Sequence, residues 1–385
     1  MKALVGSESG GYRLADDFEV PSPKSGMILC KVHAVALNPY DAKIVDFSNT
    51  PGAIGGCDFA GTVVGLGEGI TRFKEGDRVL AVTFGLNASD KTAGAFAQYA
   101  LAYEDLSCHI PENTSFEQAT SMGLAIATAG LALFQAPGLN LDMSRPQSDD
   151  EDTPSFVLIS GGATATGTMA TQFLKMCVQR SGPLELHTSS VRQGYPTQNY
   201  PADFDDRSTG YTHIVTCSPK NNALCEDYGA AACFDHNSST CGADIREYTA
   251  NGLVFVLDCA TDESTMRMCY EAIGSSGGSY VALEAVTTPV KYTRRDVRAD
   301  WLMSPTVTGL PVMIQGSYGR PSTPAHRKFG AELFQLAEKL LRDGKIKHHP
   351  LEIRDAGLEN IPTYVNDLRI GNVRAKRQVV PLIVA

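Results

Sequence analysis

Residues 157–176 read VLISGGATATGTMATQFLKM. A short apolar run meets a glycine pair, and a stretch with helical character follows. A strand that turns sharply into a helix offers backbone N–H groups at the helix N-terminus, where a phosphate binds well. Gly161 and Gly162 permit the turn. Ala163, Thr164, Ala165 and Thr166 are small enough for a pyrophosphate to approach the backbone, and the threonine hydroxyls can add hydrogen bonds. The spacing is not G-x-G-x-x-G, and such turns also occur without a ligand, so the flanking segments must decide.

Those segments alternate. SFVLIS (155–160), THIVTCS (212–218), GLVFVLDCA (252–260) and GGSYVALEAV (277–286) read as strands. Between them, residues 164–180, NNALCEDYGA (221–230), DIREYTA (244–250) and STMRMCYEAIG (264–274) read as helices. Apolar strands separated by helices specify a parallel, doubly wound sheet. The second strand then bears on the nucleotide. An NAD site ends that strand with an acid for the ribose 2′-hydroxyl. Here it runs into Ser218, Pro219, Lys220 and Asn221, which offer donors and a positive charge. A 2′-phosphate suits that set, so NADPH is the expected cofactor. A solvated lysine at a helix start is the plain alternative for Lys220.

The first 110 residues have a different texture. MILCKVHAVALN (27–38), AGTVVGLG (60–67), FKEGDRVLAVTFG (73–85) and GAFAQYALA (94–102) are short β segments broken by glycine, which suggests a small barrel. From Thr114 the chain turns helical, through a Thr114 or Ser115 cap followed by Glu117, in TSFEQATSMGLAIATAGLALFQ (114–135). The tail adds an amphipathic helix at 329–346 and strands at 348–353 and 378–384. Two stretches stand apart: an acidic loop at 142–155, and residues 183–210, which have no periodicity and exceed the roughly 2–6 residues an αβ connection needs. The second reads as a disordered insertion or a misassigned gene segment, with a lid or docking loop as the alternative.

With 385 residues the chain can hold two domains. Its net charge of −10 argues against nucleic acid or an anionic membrane as the main partner. No signal peptide is visible in residues 1–30, and no run nears the ~18 apolar residues that span a bilayer. A cytoplasmic protein with ten reduced cysteines is expected. No C-x-x-C pair occurs. Cys217, Cys225, Cys233 and Cys241 follow one another at eight-residue intervals. That spacing could mark a metal cluster, but coincidence across separate strands and helices is the reading taken, and no metal is expected.

A barrel, a nucleotide-binding sheet and a return to the first domain resemble the medium-chain dehydrogenase/reductase superfamily. The segments GGCDFAGTVVGLG (55–67) and FKEGDRV (73–79) look like its barrel signature. Zinc alcohol dehydrogenases of that superfamily carry a Cys and a His where this chain has Asn38 and Cys57, which implies a metal-free site. NPYDAK (38–43), GGCDFAG (55–61), GGATATG (161–167), TCSPKN (216–221), LDCAT (257–261), GSYGRP (316–321) and HHPL (348–351) together are similar to the trans-acting enoyl reductases that serve fungal polyketide synthases, of the lovastatin enoyl reductase type.

The resemblance implies a GroES-like domain over 1–122 and 305–385 and a Rossmann domain over 123–304. It places Tyr40, Asp41, Ala42 and Lys43 at the nicotinamide end. Ala163 to Thr166 take the pyrophosphate, and Ser218 to Asn221 the 2′-phosphate. His236 stands where relatives often have a tyrosine near the adenosine. Leu283 and Glu284 line the nicotinamide, and Arg374 and Ala375 close over the cofactor. Thr128, Ala129, Gly130, Leu131, Ala132, Leu133, Phe134 and Gln135, with Pro305, Thr306, Val307, Thr308 and Gly309, line an acyl pocket.

The implied reaction moves hydride from NADPH to the β-carbon of an α,β-unsaturated thioester carried by a polyketide synthase. Lys43 is the candidate catalytic group, as donor, orienting group or acid, with a surface lysine as the alternative. Tyr40 and Tyr318 are weaker proton donors. His33, His348, His349 and Asp258 read as structural. A basic run, KYTRRDVR (291–298), is the candidate surface for an acidic carrier protein. A monomer is expected. A free-standing quinone or alkenal reductase is the rival enzyme, and a non-catalytic NADPH-binding protein the rival outside catalysis.

Overall fold

The computed structural model describes residues 1–48, 50–143, 155–175, 211–314 and 316–382. The 183–210 segment, and the end of the helix expected to reach residue 180, lie outside the described residues. The chain divides into two compact units, Met1–Leu131 with Met303–Ala385, and Ala132–Leu302.

The first unit is built on a mostly antiparallel sheet. β1 (Ala3–Gly6) and β2 (Tyr12–Ala15) pair as a separate two-stranded sheet, and the main sheet takes β3 (Met27–Ala36), β4 (Asp58–Leu66), β5 (Arg78–Val82), β6 (Tyr99–Tyr103) and β7 (Ser107–His109). Helix α1 (Pro39–Phe47) leaves the end of β3, and α2 (Phe116–Thr120) and α3 (Gly123–Phe134) follow β7. β3 alternates buried and half-buried positions, as its period-two sequence predicts. Its buried side packs Ile28, Cys30 and Val32 against Phe59, Val63, Val79 and Phe96.

The second unit holds six parallel strands: β8 (Phe156–Ser160), β9 (Thr212–Cys217), β10 (Ala232–Asp235), β11 (Phe255–Asp258), β12 (Gly278–Ala282) and β13 (Val297–Trp301). Helices α4 (Ala165–Lys175), α5 (Asn222–Tyr228), α6 (Cys241–Tyr248), α7 (Glu263–Ala272) and α8 (Thr288–Lys291) lie between them in sequence. The strand order is β10-β9-β8-β11-β12-β13, which counted from β8 is 3-2-1-4-5-6, the dinucleotide-binding order. Four of these strands match the sequence expectation. β10 and β13 do not; they are the two outer strands, and their residues are largely half-buried and mixed in polarity.

The tail supplies α9 (Pro324–Arg342), β14 (Leu351–Ile353), α10 (Ile361–Arg369) and β15 (Arg377–Pro381). β15 pairs antiparallel with β3 and parallel with β14, so the C-terminal strands complete the sheet of the first unit. No described helix is long and apolar enough to cross a membrane.

Candidate active site

In the second unit the turn after β8 is as tight as its glycines require. Gly161 has φ +78°, the left-handed region that favours glycine. A Cβ on Gly162 would lie 2.5 Å from the Cβ of Val215 on β9, so the chain passes directly over that strand. The N–H groups of Gly161 and Gly162 are tied to Thr216, through its Oγ1 and its carbonyl. Thr164 caps α4: its hydroxyl donates to the Gly161 carbonyl at 2.8 Å and accepts from the Gly167 N–H at 3.0 Å. That hydroxyl is therefore engaged within the turn. The backbone N–H groups that open α4, at Ala165 and Thr166, fall in the first turn, outside the helix's own ladder.

Ser218 leaves the C-terminal end of β9 and starts a tight turn over Pro219–Asn221 that feeds α5. Lys220 is exposed and no acid stands at the strand end. His236 follows β10, exposed, with its N–H on the Cys217 carbonyl at 3.4 Å. Leu283 and Glu284 leave β12 half-buried. Asp258 is a hydrogen-bond anchor, as expected: its carboxylate accepts from the N–H groups of Ala260 and Thr261 and from the hydroxyls of Thr265 and Tyr280.

In the first unit the residues expected together separate by role. Tyr40 is half-buried on α1, edge-on to Phe84 at 6.2 Å. Asp41 and Ala42 are buried. Asp41 accepts the Asn38 N–H at 2.8 Å and so caps the start of α1. Lys43 is exposed, three residues after Tyr40 and hence on the same side of the helix. A cavity of about 340 Å³ is lined by Tyr40, Ile44, Phe84, Leu86, Leu310 and Met313, among others. Pro305 and Thr308 also reach it, but Thr306 and Val307 are buried, and Gly309 is a left-handed turn at φ +74°. Residues 128–134 do not line it. They are buried within α3, and a Cβ on Gly130 would lie 2.2 Å from Leu333 of α9. The small residues of α3 allow helices to approach. Gln135 is half-buried just beyond the helix.

A polar cluster lies beneath α1, on positions the sequence marks only in part. Asp58 is buried at the start of β4 and accepts the Leu124 N–H at 2.6 Å and the Asn38 amide at 3.0 Å. The Arg377 guanidinium, from the first residue of β15, bonds both Asp58 and Asn38. Burial pushes the Asp58 carboxyl upward, and the guanidinium and N–H donors pull it back. Burial also raises Asp41 to about 7, against the Asn38 N–H, with Asp58 adding to the rise. The Cys57 thiol beside them is raised well above its usual value, first by burial and then by Asp41. His349 is lowered to about 3, by burial and then by Arg377. No sequence signal singles out Arg377 among its neighbours Arg374 and Lys376, which are exposed.

The comparisons agree with this architecture. Residues 24–112 match the alcohol dehydrogenase GroES-like domain. The whole chain is 61% identical over 382 residues to a trans-enoyl reductase of Gibberella fujikuroi, covering 99% of each. It is 59% identical to a trans-enoyl reductase of a Penicillium species, covering 100% of this chain and 98% of the relative. This chain belongs to the trans-enoyl reductases of the medium-chain dehydrogenase/reductase superfamily. Among solved structures it resembles CurK enoyl reductase (TM-score 0.70, 14% identity, 99% of each chain). It also resembles the quinone oxidoreductase of Coxiella burnetii (TM-score 0.65, 22% identity, 100% of this chain and 99% of that one). These two likenesses establish the fold.

The remaining expected residues of this trans-enoyl reductase are placed as follows. Arg374 is exposed ahead of β15, and Ala375 adopts φ +51°. Tyr318 stacks on Phe47 of α1 at 4.4 Å. His33 stacks on Phe116 at 4.3 Å and meets the Thr62 hydroxyl at 3.1 Å, a structural role. In the basic run 291–298, Arg294 and Arg298 are engaged within the second unit. Arg294 is spent on the carbonyls of Tyr270, Ile273 and Gly274 and on Asp296. Arg298 bonds the Gly138 carbonyl at 2.9 Å. Of the four cysteines at eight-residue intervals, Cys217, Cys225 and Cys233 converge, with sulfur atoms within 4.8 Å of one another.

Proposed function

We propose that this trans-enoyl reductase uses NADPH and acts on an α,β-unsaturated acyl thioester borne by the carrier domain of a polyketide synthase. The single observation that carries the reading is identity near 60% along the whole chain to proteins named trans-enoyl reductases. NADPH supplies the hydride when bound. The glycine turn and the first turn of α4, Ala163 to Thr166, fit its pyrophosphate. Ser218, Pro219, Lys220 and Asn221 fit its 2′-phosphate, because the strand end offers a cation and no acid. His236, Leu283, Glu284, Arg374 and Ala375 are proposed to complete the contacts.

Reduction places negative charge on the thioester oxygen as the β-carbon is reduced. Lys43 is proposed to face that charge with its ammonium, and Tyr40 to offer a hydroxyl from the cavity wall. Burial raises the Tyr40 phenol well above its usual range, so it stays protonated and able to donate. The apolar lining and a volume near 340 Å³ suit an acyl chain. The site is read as zinc-free. A cation at Asn38, Cys57 and Asp58 would meet the buried Arg377 guanidinium and compete with it for the carboxylate.

The test is to incubate the protein with NADPH and crotonyl or 2-methylcrotonyl pantetheine thioester and follow nicotinamide absorbance. Thioester-dependent oxidation of NADPH is expected. Rapid oxidation by small quinones with none by the thioesters would overturn the reading.

A further inference from the structure

The three converging thiols come from three elements of the second unit: Cys217 ends β9, Cys225 lies in α5, and Cys233 lies in β10. Cys217 and Cys225 are buried and Cys233 is half-buried. The Cys217 thiol lies 3.3 Å from the Asn222 side-chain oxygen, and the Cys233 thiol 3.8 Å from the Asn222 carbonyl. Cys225 is buried in α5, three residues after Asn222. No part of the enoyl reduction uses these groups.

The register bears on one pair of the cluster. Asp235 pairs with Cys217 and Cys233 with Val215, so Cys217 and Cys233 sit two residues out of step on the same face of the sheet. A strand spacing of ~4.8 Å and two residues of rise put their α-carbons ~8 Å apart. A disulfide tolerates at most ~6.8 Å, so this pair cannot close one while the strands hold their places. One metal ion asks for less movement. Thiolates held ~2.3 Å from a common centre are ~4 Å apart, within an ångström or so of the separation present. Three sulfur ligands and no carboxylate select a soft ion of the d¹⁰ class, such as Zn²⁺, Cd²⁺ or Cu⁺, over Mg²⁺ or Ca²⁺.

The geometry points to a three-thiolate site for one soft d¹⁰ cation, formed by Cys217, Cys225 and Cys233, with its open coordination position left to water or an added ligand. An ion there would tie the end of β9 to α5 and β10. Ser218 to Asn221 bridge β9 and α5 directly, so ion binding and the affinity for NADPH are linked, each changing the other by the same factor. The linkage rests on the 2′-phosphate reading; the ion site does not.

The experiment uses the full chain, reduced and treated with a chelator, then titrated with Cd²⁺ while the thiolate-to-cadmium charge-transfer band is followed. One Cd²⁺ per chain is expected, with protons released as the thiols ionise. Cys225→Ser and Cys233→Ser should each weaken binding at least tenfold, and Cys269→Ser, in the same unit but outside the cluster, should leave it unchanged. Because a serine variant can misfold, the wild-type protein is also alkylated with and without Cd²⁺, and protection of Cys217, Cys225 and Cys233 is read by peptide mapping. No band at saturating Cd²⁺, no protection of these three, or a disulfide among them with no ion bound by the reduced form, would each overturn the site. An NADPH dissociation constant that is the same with and without bound Cd²⁺ would overturn the linkage.

Discussion

Arg377 and Asp58 form an ion pair across 319 residues of sequence, with side chains 6% and 0% exposed. The pair joins the first residue of β15 to the first of β4, so the returning tail is locked to the barrel by charge as well as by strand pairing. Removing one partner leaves the other as an uncompensated buried charge, which costs roughly 3–5 kcal/mol. Arg377→Ala is therefore expected to lower the unfolding free energy by about that much in urea denaturation. Replacing both by apolar residues, Arg377→Met with Asp58→Leu, should be less damaging than the single change. Equal loss in the single and double variants would show that the charge pair is not what matters here.

The pH dependence of stability follows from Asp41. Its carboxyl is raised to about 7 in the folded protein, from an ordinary value of 3.8, chiefly by burial. Between those values the native state binds the proton that the unfolded chain has released. Stability attributable to Asp41 is therefore full below about pH 4 and lost progressively as pH rises to about 7, by roughly 1.4 kcal/mol for each unit of displacement. Asp41→Asn cannot ionise and keeps an oxygen for the Asn38 N–H. It should flatten the stability profile between pH 4 and 7, measured as the urea midpoint in a series of buffers. An unchanged slope in the variant would assign the dependence elsewhere.

How much of this was legible beforehand varies with the physics involved. The parallel sheet was legible from β8, β9, β11 and β12, because each carries a short buried apolar run and alternates with a helical stretch. The outer strands β10 and β13 were not, since half-buried edges tolerate ACFD and VRADW, which carry no period. The turn at Gly161 and Gly162 was legible because glycine is favoured in a left-handed turn and is required where Gly162 passes close over Val215. The lining of the cavity beside α1 was legible only in part, at Pro305 and Thr308. Small residues in α3 serve packing on Leu333, and the same composition would have served a cavity. Arg377 and the meeting of three cysteines depend on which strands become neighbours, and no local pattern encodes that.

The proposed 2′-phosphate contact would make Lys220 the residue that separates NADPH from NADH. A hydrogen bond to a charged group contributes roughly 1.5–3 kcal/mol, which is about 10- to 100-fold in affinity. Lys220→Ala is expected to raise KM for NADPH by that factor and to leave KM for NADH and kcat little changed. The check is the ratio of kcat/KM for the two cofactors. A ratio unmoved by the substitution would mean that the exposed ammonium is merely solvated.

Lys43 and Tyr40 share one side of α1, and only Tyr40 lines the cavity. Lys43 is exposed, so Lys43→Met should fold. If its ammonium stabilises the developing enolate, kcat falls by roughly 10²–10⁴ with KM for the thioester nearly constant, the signature of an interaction made only in the transition state. Tyr40→Phe removes a single hydroxyl and is expected to reduce kcat by a smaller factor while retaining the edge contact with Phe84. Steady-state kinetics of both variants, beside a denaturation midpoint for each, assign the donor. Full activity in Lys43→Met together with a large loss in Tyr40→Phe would move the role from the ammonium to the phenol.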